Sequence, residues 1–239
     1  MHTCLINPVK KKGDPELAPV GILALNPSDS SSFAKLAGLY SLRRHALFHA
    51  ELYCSSAFFL AGPVVGAPMA ALTLEKLIVL GARKIVVYGW CGSLHPSLQV
   101  GALFSPTGAG VSEEGTSAHY PLDKPYHDDV WQSLLVGALS KAGHQVHQGL
   151  MWTTDALYRE TREKVERYST QGVLAVDMEY TALRTVAAYR QVSLAAVMMV
   201  SDELFRQEWA PRFQFKRFRA ESQRLLDQLC TFFQEGEVA

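Results

Sequence analysis

The chain has 239 residues, with 23 Lys and Arg against 23 Asp and Glu, so its formal net charge is zero. That balance gives no electrostatic footprint for nucleic acid or an anionic membrane surface. Hydrophobic residues make up 48% and charged residues 19%, which excludes disorder and supports one large core.

Residues 1–18 read as an N-terminal arm, with Lys10 to Lys12 as a solvated run, and 19–239 as one domain. Val20–Leu25 reads as a buried strand that stops at Asn26-Pro27-Ser28-Asp29, and a helix is expected from about Ser31 to Leu42. Leu47–Tyr53 and Ala57–Leu60 read as strands. Residues 52–74 carry no charge, but Gly62, Pro63, Gly66 and Pro68 interrupt them, so no membrane span is expected. Ala67–Leu80 has helical spacing and ends at Gly81. Lys84–Tyr88 reads as a strand that ends in a glycine-rich turn, and Val100–Ser105 as another strand. His127–Ala142 is amphipathic and stops at Gly143. Gln145–Met151 is strand-like, Tyr158–Tyr168 a charged helix and Gly172–Val176 a strand. Met178–Tyr189 reads as a helix, Leu194–Val200 as the most apolar strand and Arg217–Phe233 as a long terminal helix.

Strand–helix alternation with apolar strands such as KIVVY and LAAVMMV implies an α/β fold with a sheet buried on both faces. Ligands of such sheets bind at the carboxyl ends of the strands. Three such ends stand out: Gly89-Trp90-Cys91-Gly92-Ser93, Asp177-Met178-Glu179 and Ser201-Asp202-Glu203. Acids at buried strand ends are desolvated, which suits them to proton transfer. The same acids could cap following helices, and spacing alone leaves both readings open. The four cysteines form no C-x-x-C pair and read as reduced thiols of a cytoplasmic protein. The first residues show no apolar stretch of a secretory signal. His45/His49 and His144/His147 lack a third ligand, so no metal is expected.

Five motifs in order, IVVYGWCGSL, EEGTSAHY, TTDALY, VDMEYTAL and VSDEL, resemble the nucleoside phosphorylase and nucleosidase superfamily from about residue 20 to 205. The resemblance implies a single domain whose central mixed, twisted sheet curls partly into a barrel flanked by helices. It also implies cleavage of an N-glycosidic bond through an oxocarbenium-like ribosyl cation. Glu179 would accept the 2′- and 3′-hydroxyls, Met178 would pack on the ribose, and Asp202 would face purine N7 as the base leaves. The base would meet Trp90, Cys91, Gly92, Thr154, Tyr158, Val176 and Asp202. Trp90 can also be read as a core aromatic.

The uridine-specific branch carries Gln and Arg where this chain has Thr161 and Glu163, which points to a purine, whereas EGTSAHY is closer to the uridine branch. No cofactor is implied beyond inorganic phosphate as co-substrate. The phosphate residues of the phosphorylases are replaced at Ser32, Val87 and Trp90, leaving Ser28, Ser32 and Arg44 as the acceptor candidates. Phosphorolysis is the leading expectation, hydrolysis the alternative and an inactive binding or storage protein the third. Family members complete one subunit's site with a neighbour's residues, so a homo-oligomer, a dimer or trimer of dimers, is expected, with Arg44 or His45 reaching across.

Overall fold

The computed structural model describes residues 4–122, 129–206, 208–209 and 211–236. In chain order the elements are β1 (Val20–Ala24), α1 (Pro27–Ser30), α2 (Phe33–Leu39), β2 (Arg43–Ala46), β3 (Glu51–Cys54), β4 (Phe59–Gly62) and α3 (Ala67–Leu80). There follow β5 (Lys84–Ser93), β6 (Leu103–Pro106), β7 (Val111–Glu113), α4 (Asp129–Lys141), β8 (Val146–Thr154), α5 (Arg162–Thr170), β9 (Val173–Asp177), α6 (Tyr180–Arg190), β10 (Ser193–Glu203) and α7 (Lys216–Glu235).

All ten strands join one mixed sheet in the order β10-β6-β8-β9-β5-β1-β4-β3-β2, with β7 beside β8. β10 also pairs with β5, parallel, which closes β5, β10, β6, β8 and β9 into a ring. That closure is the barrel-like part of the sheet, and β1 to β4 extend from it as an open wing.

The two faces of the sheet follow from strand alternation. Along β5, Ile85, Val87 and Cys91 enter one core with α3 and α6. Val86 and Tyr88 enter the other, with α2, α4 and α7. β10 repeats the pattern: Ala196, Met198 and Val200 on the first face, Ala195, Val197 and Met199 on the second. Both strands are covered on both sides, which is why their sequences read as unbroken apolar runs.

Several boundaries differ from the sequence expectation. The helix expected from Ser31 to Leu42 is two short helices. The hydroxyls of Ser30, Ser31 and Ser32 bond back to the carbonyls of Pro27, Ser28 and Asp29, which competes with helix propagation. Ser41 then adopts φ 55° and turns the chain into β2. The strand expected over Leu47–Tyr53 begins only at Glu51, because Leu47 and Ala50 close a turn between β2 and β3. The glycine-rich segment after Tyr88 is not a turn: β5 continues through Ser93, paired with β10 along its length. β10 likewise runs on to Glu203, past a register shift between Val200 and Asp202. Tyr158–Tyr168 divides into a 3-10 turn at Leu157–Arg159 and α5, capped by Thr161. Of the helix expected over His127–Ala142, its first two residues lie outside the described residues. No helix among the described residues is long and apolar enough to cross a membrane.

Candidate functional site

The carboxyl ends of β5, β9 and β10 meet, because Gly92 on β5 pairs with Val176 on β9 and with Asp202 on β10. Gly92 keeps this junction tight: a Cβ would lie 2.4 Å from the end of the Leu204 side chain and 3.1 Å from Val176, so those side chains would have to shift. The junction floors a cavity of about 230 Å³, lined among others by Trp90, Cys91, Gly92, Val176, Met178, Glu179 and Asp202. An adjoining cavity of about 220 Å³ shares Leu157, Glu160 and Trp209 with it and adds Tyr158. Small-ligand pockets commonly run to about 300–1,000 Å³, a size the two reach together.

Glu179 sits where β9 gives way to α6, and it is buried. It does not cap that helix. Asp177 does, accepting from the backbone N–H of Tyr180 at 2.7 Å and of Glu179 at 3.2 Å, and from Thr153 Oγ1 at 2.6 Å. With the cap supplied, the Glu179 side chain is free to line the cavity. Its Oε1 accepts from the Gly66 N–H at 2.5 Å, at the N-terminus of α3. Burial and the neighbouring Asp177 carboxylate push the Glu179 carboxyl well above the usual range, against backbone bonds from Gly66 and Met178. Burial raises Asp177 as well, opposed by its three hydrogen bonds.

Asp202 stands near the end of β10, and the next helix among the described residues, α7, begins only at Lys216, so helix capping is not its role. Both its oxygens accept hydrogen bonds, from Ser201 Oγ at 2.6 Å and from Trp209 Nε1 at 2.8 Å.

Trp90 answers to both sequence readings. Its ring lines the cavity, stacked at 6.2 Å on Phe213. Its Nε1 donates to Ser222 Oγ on α7 at 2.7 Å. Ser222 Oγ in turn donates to Asp29 Oδ1 at 2.8 Å and lies 2.7 Å from the Tyr88 hydroxyl. Asp29 is fully buried, and burial lifts its carboxyl to about 6 despite bonds from Ser222 and Asn26. The acid in the Ser28–Ser32 loop is therefore turned into the core.

The remaining candidates lie outside the main cavity. Thr154 is buried, and its hydroxyl accepts from the Ala156 N–H at 3.3 Å. Tyr158 is 90% exposed and borders only the adjoining cavity. Ser28 and Ser32 lie in and beside α1, Ser32 bonding the Asp29 carbonyl, and neither lines the cavity. Arg44, on β2, pairs with Glu51 at 2.6 Å and is 67% exposed. Val87 is buried in the core.

Sequence reasoning missed Trp209, Phe213 and Glu160, and took Asp177 only as one of the acids at a strand end. Asp177 stood in the quoted VDMEYTAL motif, and its cap role could have been read from the helix that follows. Glu160 lies two residues beyond the TTDALY motif. Trp209 and Phe213 carry no motif, only aromatic character in an otherwise polar loop. A larger cavity of about 800 Å³ between α4 and α7 contains none of the strand-end acids.

The chain is 31% identical over 144 residues to a guanosine phosphorylase of Halorubrum lacusprofundi, a match spanning 59% of this chain and 58% of that protein. It is similar in fold to the purine nucleoside phosphorylase of Toxoplasma gondii in complex with immucillin-H, with TM-score 0.77, 19% identity and 99% of each chain covered. It is also similar in fold to an AMP nucleosidase of Bacteroides thetaiotaomicron, with TM-score 0.70, 21% identity and 89% of this chain and 88% of that one covered. A family model described as the phosphorylase superfamily matches residues 42–231, a span that holds Trp90, Glu179 and Asp202 and most of the sheet, and the chain therefore belongs to that superfamily.

Proposed function

We propose that this protein cleaves the N-glycosidic bond of a purine nucleoside in the cavity at the ends of β5, β9 and β10. The observation that carries the reading is the placement of Glu179 and Asp202, from two different strand ends, on one cavity wall. The names of the similar proteins, phosphorylases and a nucleosidase of purine compounds, support it.

The chemistry follows from the residue types. As C1′–N9 breaks, the electron pair goes to the base and positive charge builds on the ribose. Glu179 holds the 2′- and 3′-hydroxyls, whose donated hydrogen bonds draw its raised carboxyl back to the charged form that favours the cationic sugar. Asp202 bonds or protonates N7, so that the base leaves without a full negative charge. Trp90 and Met178 supply apolar walls.

The acceptor that this geometry favours is water. Among the described residues lining the cavity, Glu160, Asp177, Glu179 and Asp202 are acidic and none is Lys, Arg or His. Phosphate would meet carboxyl groups there and no arginine to bind it bidentately, since Arg162 and Arg206 line only the adjoining cavity and bond the Arg206 carbonyl and Glu203. Water then forms the bond to C1′, and its proton passes to a carboxylate of the cavity. Phosphate is the second reading, favoured by the 31% identity to a guanosine phosphorylase. It requires Arg44 or His45 to arrive from a neighbouring subunit of a homo-oligomer. Product analysis on purine nucleosides, with and without phosphate, tests both: free ribose supports water, and ribose 1-phosphate supports the second reading.

A further inference from the structure

The adjoining cavity of about 220 Å³ has no task in the mechanism. It opens from the main cavity across Leu157, Glu160 and Trp209, and neither Met178 nor Glu179 lines it. Trp209 donates from Nε1 to Asp202 at 2.8 Å, and Leu204, on the wall of the adjoining cavity, stands two residues beyond Asp202. The adjoining cavity therefore opens at the Asp202 end of the site, away from the carboxyl proposed to hold the ribose. Its walls are largely apolar. Leu157 is 43% exposed, Tyr158 90% and Trp209 53%. Single exposed apolar side chains are ordinary, whereas three around one concavity mark a binding surface. The two arginines of this cavity are engaged: Arg162 donates to the Arg206 carbonyl at 2.7 Å, and Arg206 pairs with Glu203. Burial, with the Asp202 and Asp177 carboxylates, lifts the Glu160 carboxyl to about 8, so the acid on the shared wall is mostly uncharged at neutral pH.

We propose that the adjoining cavity is a subsite for an apolar substituent at C6 of the purine, so that the preferred substrates are purine nucleosides bearing an alkyl or arylmethyl group there. This names the substrate class of the nucleoside reading above and rests on it. With the ribose at Glu179 and N7 at Asp202, C8 points back toward the sugar, and C6 lies beyond N7 on the side where the adjoining cavity opens. A bare oxo or amino group at C6 is too short to cross the shared wall. A group the size of benzyl reaches past it and covers the apolar faces of Leu157, Tyr158, Leu204 and Trp209. An anionic substituent would meet arginines already bonded to protein acceptors, and would have to break those bonds to gain its own.

The test is isothermal titration calorimetry of the full-length protein with adenine, N6-benzyladenine and N6-(4-carboxybenzyl)adenine. Free bases do not react, so the readout is independent of turnover. Each buried methylene is worth about fourfold in affinity, and N6-benzyladenine should bind about 10–10²-fold more tightly than adenine. The carboxylated analogue should lose that gain. Tyr158→Ala removes a wall of the adjoining cavity alone, at a position too exposed to carry the fold. In that variant N6-benzyladenine should weaken by about 10-fold and adenine by less than about twofold. Equal affinities for adenine and N6-benzyladenine in the wild type would overturn the subsite and leave the nucleoside reading standing. So would tighter binding of the carboxylated analogue than of N6-benzyladenine, or parallel weakening of adenine and N6-benzyladenine in Tyr158→Ala. Failure of all three bases to bind would also overturn it. Failure of the nucleoside reading is seen separately, as absence of base release from any nucleoside.

Discussion

The backbone N–H of Gly66 donates to Glu179 Oε1 at 2.5 Å, joining the start of α3 to the carboxyl proposed to hold the ribose. Gly66 does this at φ 85°, a conformation that L side chains reach only with strain. Gly66→Ala is expected to cost about 1–2 kcal/mol and to turn the amide away. The KM for nucleoside should rise while binding of the free base stays unchanged. Parallel weakening of nucleoside and base would place Gly66 outside the sugar site.

Glu179 also carries a pH signature. Burial raises its carboxyl, so the folded protein holds a proton that the unfolded chain loses near 4.5. A raised carboxyl makes stability fall as pH rises through that unfolded value and on toward the folded one. Glu179→Gln keeps the Gly66 bond and removes the titration. Its melting temperature relative to wild type should therefore climb between pH 5 and pH 8, by about 2–4 °C for each kcal/mol recovered. A difference that stays constant with pH would show that Glu179 is not the group being charged.

Asp202→Asn removes a proton donor while keeping a similar shape. Loss of a positioned acid typically costs about 10²–10⁴ in rate, and that loss is expected on guanosine or inosine. 7-Methylguanosine carries a base that is already cationic and needs no proton at N7, so its cleavage should fall far less. Equal losses on both substrates would remove Asp202 from proton transfer and leave it a binding group.

Much of this was legible in the sequence. KIVVY and LAAVMMV announced a sheet covered on both faces, and the acids after GVLAV and LAAVMMV pointed to the cavity. The curl of the sheet was implied by the family resemblance alone. What local pattern could not show was sheet closure. The β5–β10 pairing joins residues about a hundred positions apart, and it carries both strands beyond the points where their apolar runs stop. The serines of the Ser28–Ser32 loop looked like a site by alignment with a phosphate loop. Their hydroxyls are spent on local carbonyls, which spacing does not reveal. Trp209 reaches Asp202 across a loop, with no periodicity to mark it.

The Asp29–Ser222–Trp90 chain ties the wall of the cavity to α7. Ser222→Ala would leave the buried Asp29 with Asn26 as its remaining side-chain donor and would free the Trp90 indole N–H. A buried polar group that loses its partner costs about 1–3 kcal/mol. Melting should drop by about 2–4 °C per kcal/mol, and base binding should weaken as Trp90 loosens. Unchanged stability would mean that the network does not anchor the wall.

The acceptor divides the two readings of the reaction. The acidic cavity leads us to expect a rate that does not change when phosphate is raised from zero to millimolar. Arg44→Ala should then leave turnover intact, since Arg44 lies outside the cavity and pairs with Glu51. Phosphate dependence that vanishes in Arg44→Ala would instead establish a site completed across subunits. Sedimentation at micromolar concentration should then show an oligomer.

The most direct measurement is base release from a panel of purine and pyrimidine nucleosides by the wild-type protein and by Glu179→Ala, with sugar products identified by chromatography. The account predicts that wild type releases a purine base and leaves free ribose, and that Glu179→Ala releases none while still binding the free base. Release of no base from any nucleoside by the wild type, or undiminished release by Glu179→Ala, would contradict it.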